Sequence, residues 1–146
     1  PGRAERVLIC DVEGNAQAIT VAEHLAAHGC AVTIAVAGDG VAVGMARYSR
    51  VTALKRMARL GVRMRTQTRF SGWDGERAIL TDVWSGEAEP SRFDTLVAVG
   101  YRAPSDQLID LAEASGANVT LIGDARAPRQ ALDAIRDGHL TARAIE

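Results

Sequence analysis

Side chains that commonly carry chemistry are sparse in this chain: two cysteines, Cys10 and Cys30, and three histidines, His24, His28 and His139. The cysteines show neither a Cys-x-x-Cys spacing nor a neighbouring histidine. The pattern predicts buried, reduced thiols, with no disulfide framework and no complete metal site. His24 and His28 stand four apart, the spacing of a zinc-protease helix, but without its intervening glutamate and third ligand; His139 falls near a helix end. Solvated or capping roles fit them better. No nucleophile, base and orienting group come together, so no catalytic residue is assigned.

The remaining chemistry is nucleotide binding. A dinucleotide pyrophosphate sits at the first strand-to-helix turn of its fold, where glycines admit the phosphate to the backbone and the helix N-terminus supplies oriented N–H groups. Here Glu13, Asn15 and Ala18 stand where the Gly-x-Gly-x-x-Gly fingerprint needs glycines, leaving only Gly14. Glu13 adds negative charge at a place meant for phosphate. Gly14 and Asn15 are the residues of this turn that could still meet a ligand. The second strand ends Ala35-Val36-Ala37 without a carboxylate for a ribose hydroxyl, although Asp39 follows closely. The expectation is a nucleotide fold that keeps its shape and has lost its ligand.

The elements that position these residues follow from periodicity. Residues 6–11 form a short apolar run, and Ile19, Ala22, Leu25 and Ala26 recur at helical spacing before Gly29. Residues 30–37 are an unbroken apolar, β-branched run suited to a parallel strand covered on both faces. After Gly38-Asp39-Gly40 a second helix places Val51, Leu54, Met57 and Ala58 on one stripe and ends at Gly61, ahead of a third strand at 62–65. Short extended segments at 68–73, 76–84 and near Arg92, separated by Asp74-Gly75 and Ser85-Gly86, predict an antiparallel meander. Trp73 and Trp84 are expected there to stack on each other or on a neighbouring domain. Residues 94–99 read as another strand, 106–114 as a helix and 118–122 as a strand. The last helix is expected from Pro128, with Leu132, Ile135 and Leu140 on its packing face. The fold class is α/β: a Rossmann-like FAD/NAD(P)-binding fold, with helices on both faces of a parallel sheet plus a β-meander.

Composition narrows function by exclusion. At 146 residues, with 47% hydrophobic and 24% charged residues and a net charge of −1, nothing electrostatic points to nucleic acid or an anionic membrane. No apolar run reaches the roughly 20 residues of a membrane helix, and no export signal is evident. A cytoplasmic protein is expected. Lys55 is the single lysine among 17 basic residues, an arginine bias typical of high-GC bacterial genes. The basic residues between Arg47 and Arg59 read as a solvated helix face.

Two segments carry a resemblance. Leu96-Val97-Ala98-Val99-Gly100-Tyr101-Arg102-Ala103-Pro104-Ser105 resembles the apolar strand, glycine, basic residue and proline pattern where an inserted nucleotide domain crosses back to a flavin domain. Val119-Thr120-Leu121-Ile122-Gly123-Asp124-Ala125-Arg126-Ala127-Pro128-Arg129, running on to Ile135-Arg136-Asp137-Gly138-His139, resembles the Gly-Asp flavin-domain signature. Together they are similar to the C-terminal region of the trimethylamine dehydrogenase and 2,4-dienoyl-CoA reductase family, relatives of old yellow enzyme and of NADH:flavin oxidoreductases.

That resemblance implies residues 1–103 as an inserted NAD(P)-binding-like domain and residues 104–146 as the closing strand and helix of an interrupted FAD/ADP-binding-like domain. It adds Gly100, Gly123 and Asp124 to Gly14 and Asn15 as cofactor-facing candidates. It implies a flavin-dependent oxidoreductase whose barrel, FMN and iron-sulfur cluster lie upstream, with an electron-transfer flavoprotein as a partner and homo-oligomers among the allowed assemblies. ADP/FAD and NAD(P)H are the ligands its domains would take. The fragment is then a nucleotide-domain scaffold and docking region, inactive alone. The alternative is a non-catalytic Rossmann-like interaction module.

Overall fold

The computed structural model describes residues 4–145. It divides into two compact units, 1–101 and 102–146.

The first unit begins with the predicted βαβ pattern. Strand β1 (Arg6–Asp11) leads to helix α1 (Ala16–Ala27), and Gly29, with φ of +89°, turns the chain into strand β2 (Ala31–Ala35). That left-handed conformation is one glycine adopts without strain, which is why the helix stops there. Helix α2 (Arg47–Arg59) and Gly61, at φ +72°, repeat the device before strand β3 (Arg63–Arg65). Strands β4 (Thr68–Trp73), β5 (Ala78–Asp82) and β6 (Ala88–Ser91) form an antiparallel sheet, and β7 (Thr95–Val99) returns to the parallel one. The parallel order is β3-β2-β1-β7. Because the chain leaves β1 toward β2 and later returns to its other side as β7, the switch point of the sheet lies between β1 and β7.

Alternation along the strands decides what each face meets. Val7, Ile9, Val32 and Ile34 pack with Ala18, Ile19 and Ala22 of α1 and with Ala53 and Met57 of α2. Leu8 and Ala35 face the other way and pack with Ala78 and Leu80 of β5. Helices thus cover one face of the sheet within this unit. The second face, where the sequence places helices too, carries the meander.

Several local expectations shift. On α2 Met57 is buried and Leu54 packs against the core as expected, whereas Val51, 46% exposed, and Ala58 face outward and Ala53 is buried in their place. The Asp74-Gly75 and Ser85-Gly86 turns form as expected. Asp74 accepts from the Glu76 and Arg77 N–H groups at 3.0 and 2.8 Å, and Asp82 from Trp84 and Ser85 at 2.9 and 2.8 Å. These bonds hold both carboxyls below their usual range. Trp73 and Trp84 do not form a ring pair among the described residues. Trp73 pairs with Ala78 at the start of β5, whereas Trp84 lies past the other end of that strand and stays 79% exposed.

The second unit holds helix α3 (Ile109–Ala114), a 3-10 turn (Gly123–Ala125) and helix α4 (Ala131–Arg143). Residues 118–122, expected as a strand, have no ladder partner among the described residues, although Ile122 is extended at φ −134°, ψ 161°. A strand exists only through pairing, which local sequence does not supply. Helix α4 begins at Ala131 and not at Pro128, capped where the Gln130 N–H donates to Asp133 Oδ2 at 3.2 Å. Its expected packing face is exposed: Leu132 by 76%, Ile135 by 69% and Leu140 by 54%.

Candidate functional site

Ligands of open α/β sheets bind outside the carboxyl ends of the strands at the switch point, here the ends of β1 and β7. The first turn, residues 11–15, starts with Asp11, which is 4% exposed. Its Oδ1 accepts the N–H groups of Glu13 and Gly14 at 3.1 and 2.9 Å. Two donors of the kind a pyrophosphate needs are therefore already bound to a carboxylate of the chain itself. Oδ2 of Asp11 is buried without a hydrogen-bond partner among the described residues. Such a group is costly and tightly specified by its surroundings.

Gly14 has φ of +67°, the left-handed region, and Asn15 is the N-cap residue of α1 with no side-chain capping bond. The segment after β2 lies against both. Gly44 N–H donates to Gly14 O at 2.8 Å. A Cβ at Gly44 would push the Asn15 side-chain oxygen aside and come within 3.2 Å of Gly14 O, tighter than an ordinary contact, so glycine favours this approach. The segment is held from behind as well, because Arg50 Nε donates to Val41 O at 2.8 Å. Val41 and Ala42 are buried, and Ala42 adopts φ of +55°, an uncommon conformation that a well-determined loop imposes. Asp39, expected near a ribose, is exposed in the turn that opens this segment.

Gly100 follows β7 and lines a cavity of about 190 Å³ with Cys10, Asp11, Val12, Thr68 and Phe70. That volume is below the roughly 300–1,000 Å³ of drug-sized ligand sites. Burial pushes the Cys10 thiol up to about 11, so it stays protonated at neutral pH and is not a nucleophile. Cys30 is likewise a free, partly buried thiol. His24 and His28, the latter the C-cap of α1, form a tilted ring pair 4.3 Å apart, with His28 Nδ1 2.7 Å from His24 O. Among the described residues no three potential metal ligands gather, and no helix is long and apolar enough to cross a membrane.

In the second unit Gly123 is buried with φ of +56°, and a Cβ there would stand 3.2 Å from Ala134 Cβ of α4. The left-handed backbone, together with the close approach of α4, favours glycine here. Asp124 beside it is exposed. The turn and the helix are also joined by charge: Arg129 Nη2 contacts Asp137 Oδ2 at 2.6 Å, and the Asp137 side chain is 11% exposed. The Ala127-Pro128-Arg129 and Asp137-Gly138-His139 parts of the signature thus hold each other.

Gly14, Asn15 and Gly100 fall at one end of one sheet, whereas Gly123 and Asp124 belong to the other unit. Sequence reasoning missed Asp11 and Gly44. Asp11 had a local signal, an aspartate ending a strand three residues before a glycine, the pattern of a side chain that caps its own turn. Gly44 had none, being 30 residues from its contact.

No family model matches the chain, and no curated protein matches it in sequence. Solved structures do resemble it. Histamine dehydrogenase from Rhizobium sp. 4-9 superposes with a TM-score of 0.86 at 24% identity, covering 97% of this chain and 23% of that one. The 6-hydroxypseudooxynicotine amine oxidase of Pseudomonas geniculata N1 gives 0.81 at 21% identity, with 95% and 22% covered. Thioredoxin reductase of Lactococcus lactis gives 0.65 at 20%, with 97% and 52% covered. The chain spans less than a quarter of the length of the first two. Likeness at this identity concerns fold: the chain has an α/β fold of the Rossmann-like, FAD/NAD(P)-binding type.

Proposed function

We propose that this chain is the nucleotide-domain region of a flavin-dependent oxidoreductase of the trimethylamine dehydrogenase and 2,4-dienoyl-CoA reductase type. In this reading, residues 1–101 retain the dinucleotide fold as scaffold and docking region and have given up the coenzyme site. The observation that carries the reading is the Asp11 turn. Its carboxylate occupies the Glu13 and Gly14 N–H groups, and Gly44 lies on Gly14 O. A pyrophosphate brought there would meet two satisfied donors and a fixed negative charge, so the residues do not fit NAD(P).

The second unit supports a different relation to nucleotide. In this reading Asp124, exposed beside the left-handed Gly123, would accept hydrogen bonds from hydroxyls of ADP or FAD. Leu132 and Ile135, left exposed on α4, are the surface that further parts of a flavin domain would cover. Barrel, FMN and iron-sulfur cluster belong to those further parts of the protein, and an electron-transfer flavoprotein is the acceptor such an enzyme would use. The similarity to an amine dehydrogenase and an amine oxidase favours the amine-oxidising branch.

The test is an NMR titration of the chain with NADH and NADPH, followed at residues 12–16. No saturable shift there at millimolar coenzyme is expected. Saturable shifts at Gly14 and Asn15 would overturn the loss of the coenzyme site.

A further inference from the structure

At the opposite ends of the parallel strands lies a second cavity, of about 470 Å³. Strand register builds it. Arg6 of β1 sits opposite Ala31 of β2, and Thr33 and Ala35 of β2 sit opposite Arg63 and Arg65 of β3. Residues two apart share a face. Since Leu8 and Ala35 lie on the meander side, so do Arg6, Ala31, Thr33, Arg63 and Arg65. Small side chains on the middle strand leave a floor, and arginines stand on both flanks. Arg92 and Phe93, which follow β6, close the remaining side.

The charge of this groove departs from that of the chain. Four arginines line it against one carboxylate, Glu89, although the chain as a whole carries −1. Glu89 pairs with Arg65 at 2.9 Å, Asp94 with Arg6 at 3.2 Å and Glu76 with Arg92 at 3.3 Å. These pairs are solvent-exposed, the class that contributes least and exchanges most readily for a better anion. The Arg63 side chain has no ion pair or hydrogen bond with another described residue.

We propose that this groove binds a small phosphorylated ligand of the diphosphate class. Guanidinium groups match phosphate oxygens with two parallel N–H bonds, which lysine cannot do. The volume is that of a small-molecule site, whereas a protein partner would need a patch of roughly 800 Å². Phe93 and Ala31 offer an apolar wall to the body of the ligand. The site is separate from the Gly14 turn, so it goes beyond the reading above and can fail independently of it.

The test is an NMR titration of the 146-residue chain with inorganic pyrophosphate. Saturable shifts at residues 31–33, 61–65 and 91–93, weakening as salt rises, are expected. Arg63→Gln is expected to weaken binding about tenfold. Glu89→Gln removes a competing carboxylate and is expected to tighten binding, a gain that a misfolded variant cannot produce. The proposal is overturned by the absence of saturation at millimolar pyrophosphate, by shifts centred on residues 12–16, or by unchanged affinity in both variants. A glutamate-rich peptide binding more tightly than pyrophosphate would overturn it in favour of a protein-docking face.

Discussion

Asp11 offers a pair of substitutions whose effects should differ sharply. Its Oδ1 accepts two backbone N–H bonds, from Glu13 and Gly14, and hydrogen bonds to an ionised acceptor contribute about 1.5–3 kcal/mol each. Asp11→Ala removes both. Water reaches this half-buried turn in part, so the expected net loss is about 2–4 kcal/mol. Asp11→Asn keeps an acceptor in the same place. It weakens each bond, by roughly half on the usual comparison of charged with neutral acceptors. Against that it relieves a carboxylate whose Oδ2 is buried without a partner, a penalty of about 1–3 kcal/mol. The two effects nearly cancel, leaving Asp11→Asn within about 1 kcal/mol of the parent chain. At about 4 °C per kcal/mol for a domain of this size, the alanine variant should melt roughly 8–16 °C lower and the asparagine variant within about 4 °C. Thermal and urea unfolding followed by circular dichroism would measure both. If Asp11→Asn proves as damaging as Asp11→Ala, the negative charge itself holds the turn and the acceptor geometry does not.

Three further outcomes follow from the same structure. Cys10, with its thiol pushed from an ordinary 9.0 to about 11 by burial, should alkylate about a hundredfold more slowly at pH 8 than an unperturbed thiol, read by mass spectrometry of labelled peptides. The unfolded chain releases that proton first, so the contribution of Cys10 to stability is intact below pH 9 and is lost as pH rises toward 11; a stability curve flat across that window in the wild type, and matching Cys10→Ala, would contradict this. Gly44→Ala should cost about 1–3 kcal/mol through its clash with Asn15 and Gly14, measured by urea unfolding, and an unchanged midpoint would mean that the loop does not press on the turn. Ile135→Lys, at a position 69% exposed, should leave unfolding within about 0.5 kcal/mol of wild type while reducing self-association in analytical ultracentrifugation; a large destabilisation would show that the α4 face is already packed.

Local signals made much of this fold legible. The βα alternation, the glycines that end α1 and α2, and the Asp74-Gly75 and Ser85-Gly86 turns of the meander each depend on residues a few positions apart. Their physics is local: a left-handed residue that only glycine adopts freely, or a carboxylate that caps its own turn. The same locality showed that Glu13, Asn15 and Ala18 had replaced the glycines of a phosphate-binding turn. Tertiary structure decided what those elements face. It laid the meander on Leu8 and Ala35, left residues 118–122 without a ladder and exposed Leu132 and Ile135, because pairing and burial depend on the partner segment and not on the segment's own sequence. It brought Gly44 onto Gly14 across 30 residues, and it placed Arg6, Arg63 and Arg65 around one groove through the register of three strands. A strand's alternation assigns each side chain to one of two faces; only the assembled sheet determines which residues of other strands share that face.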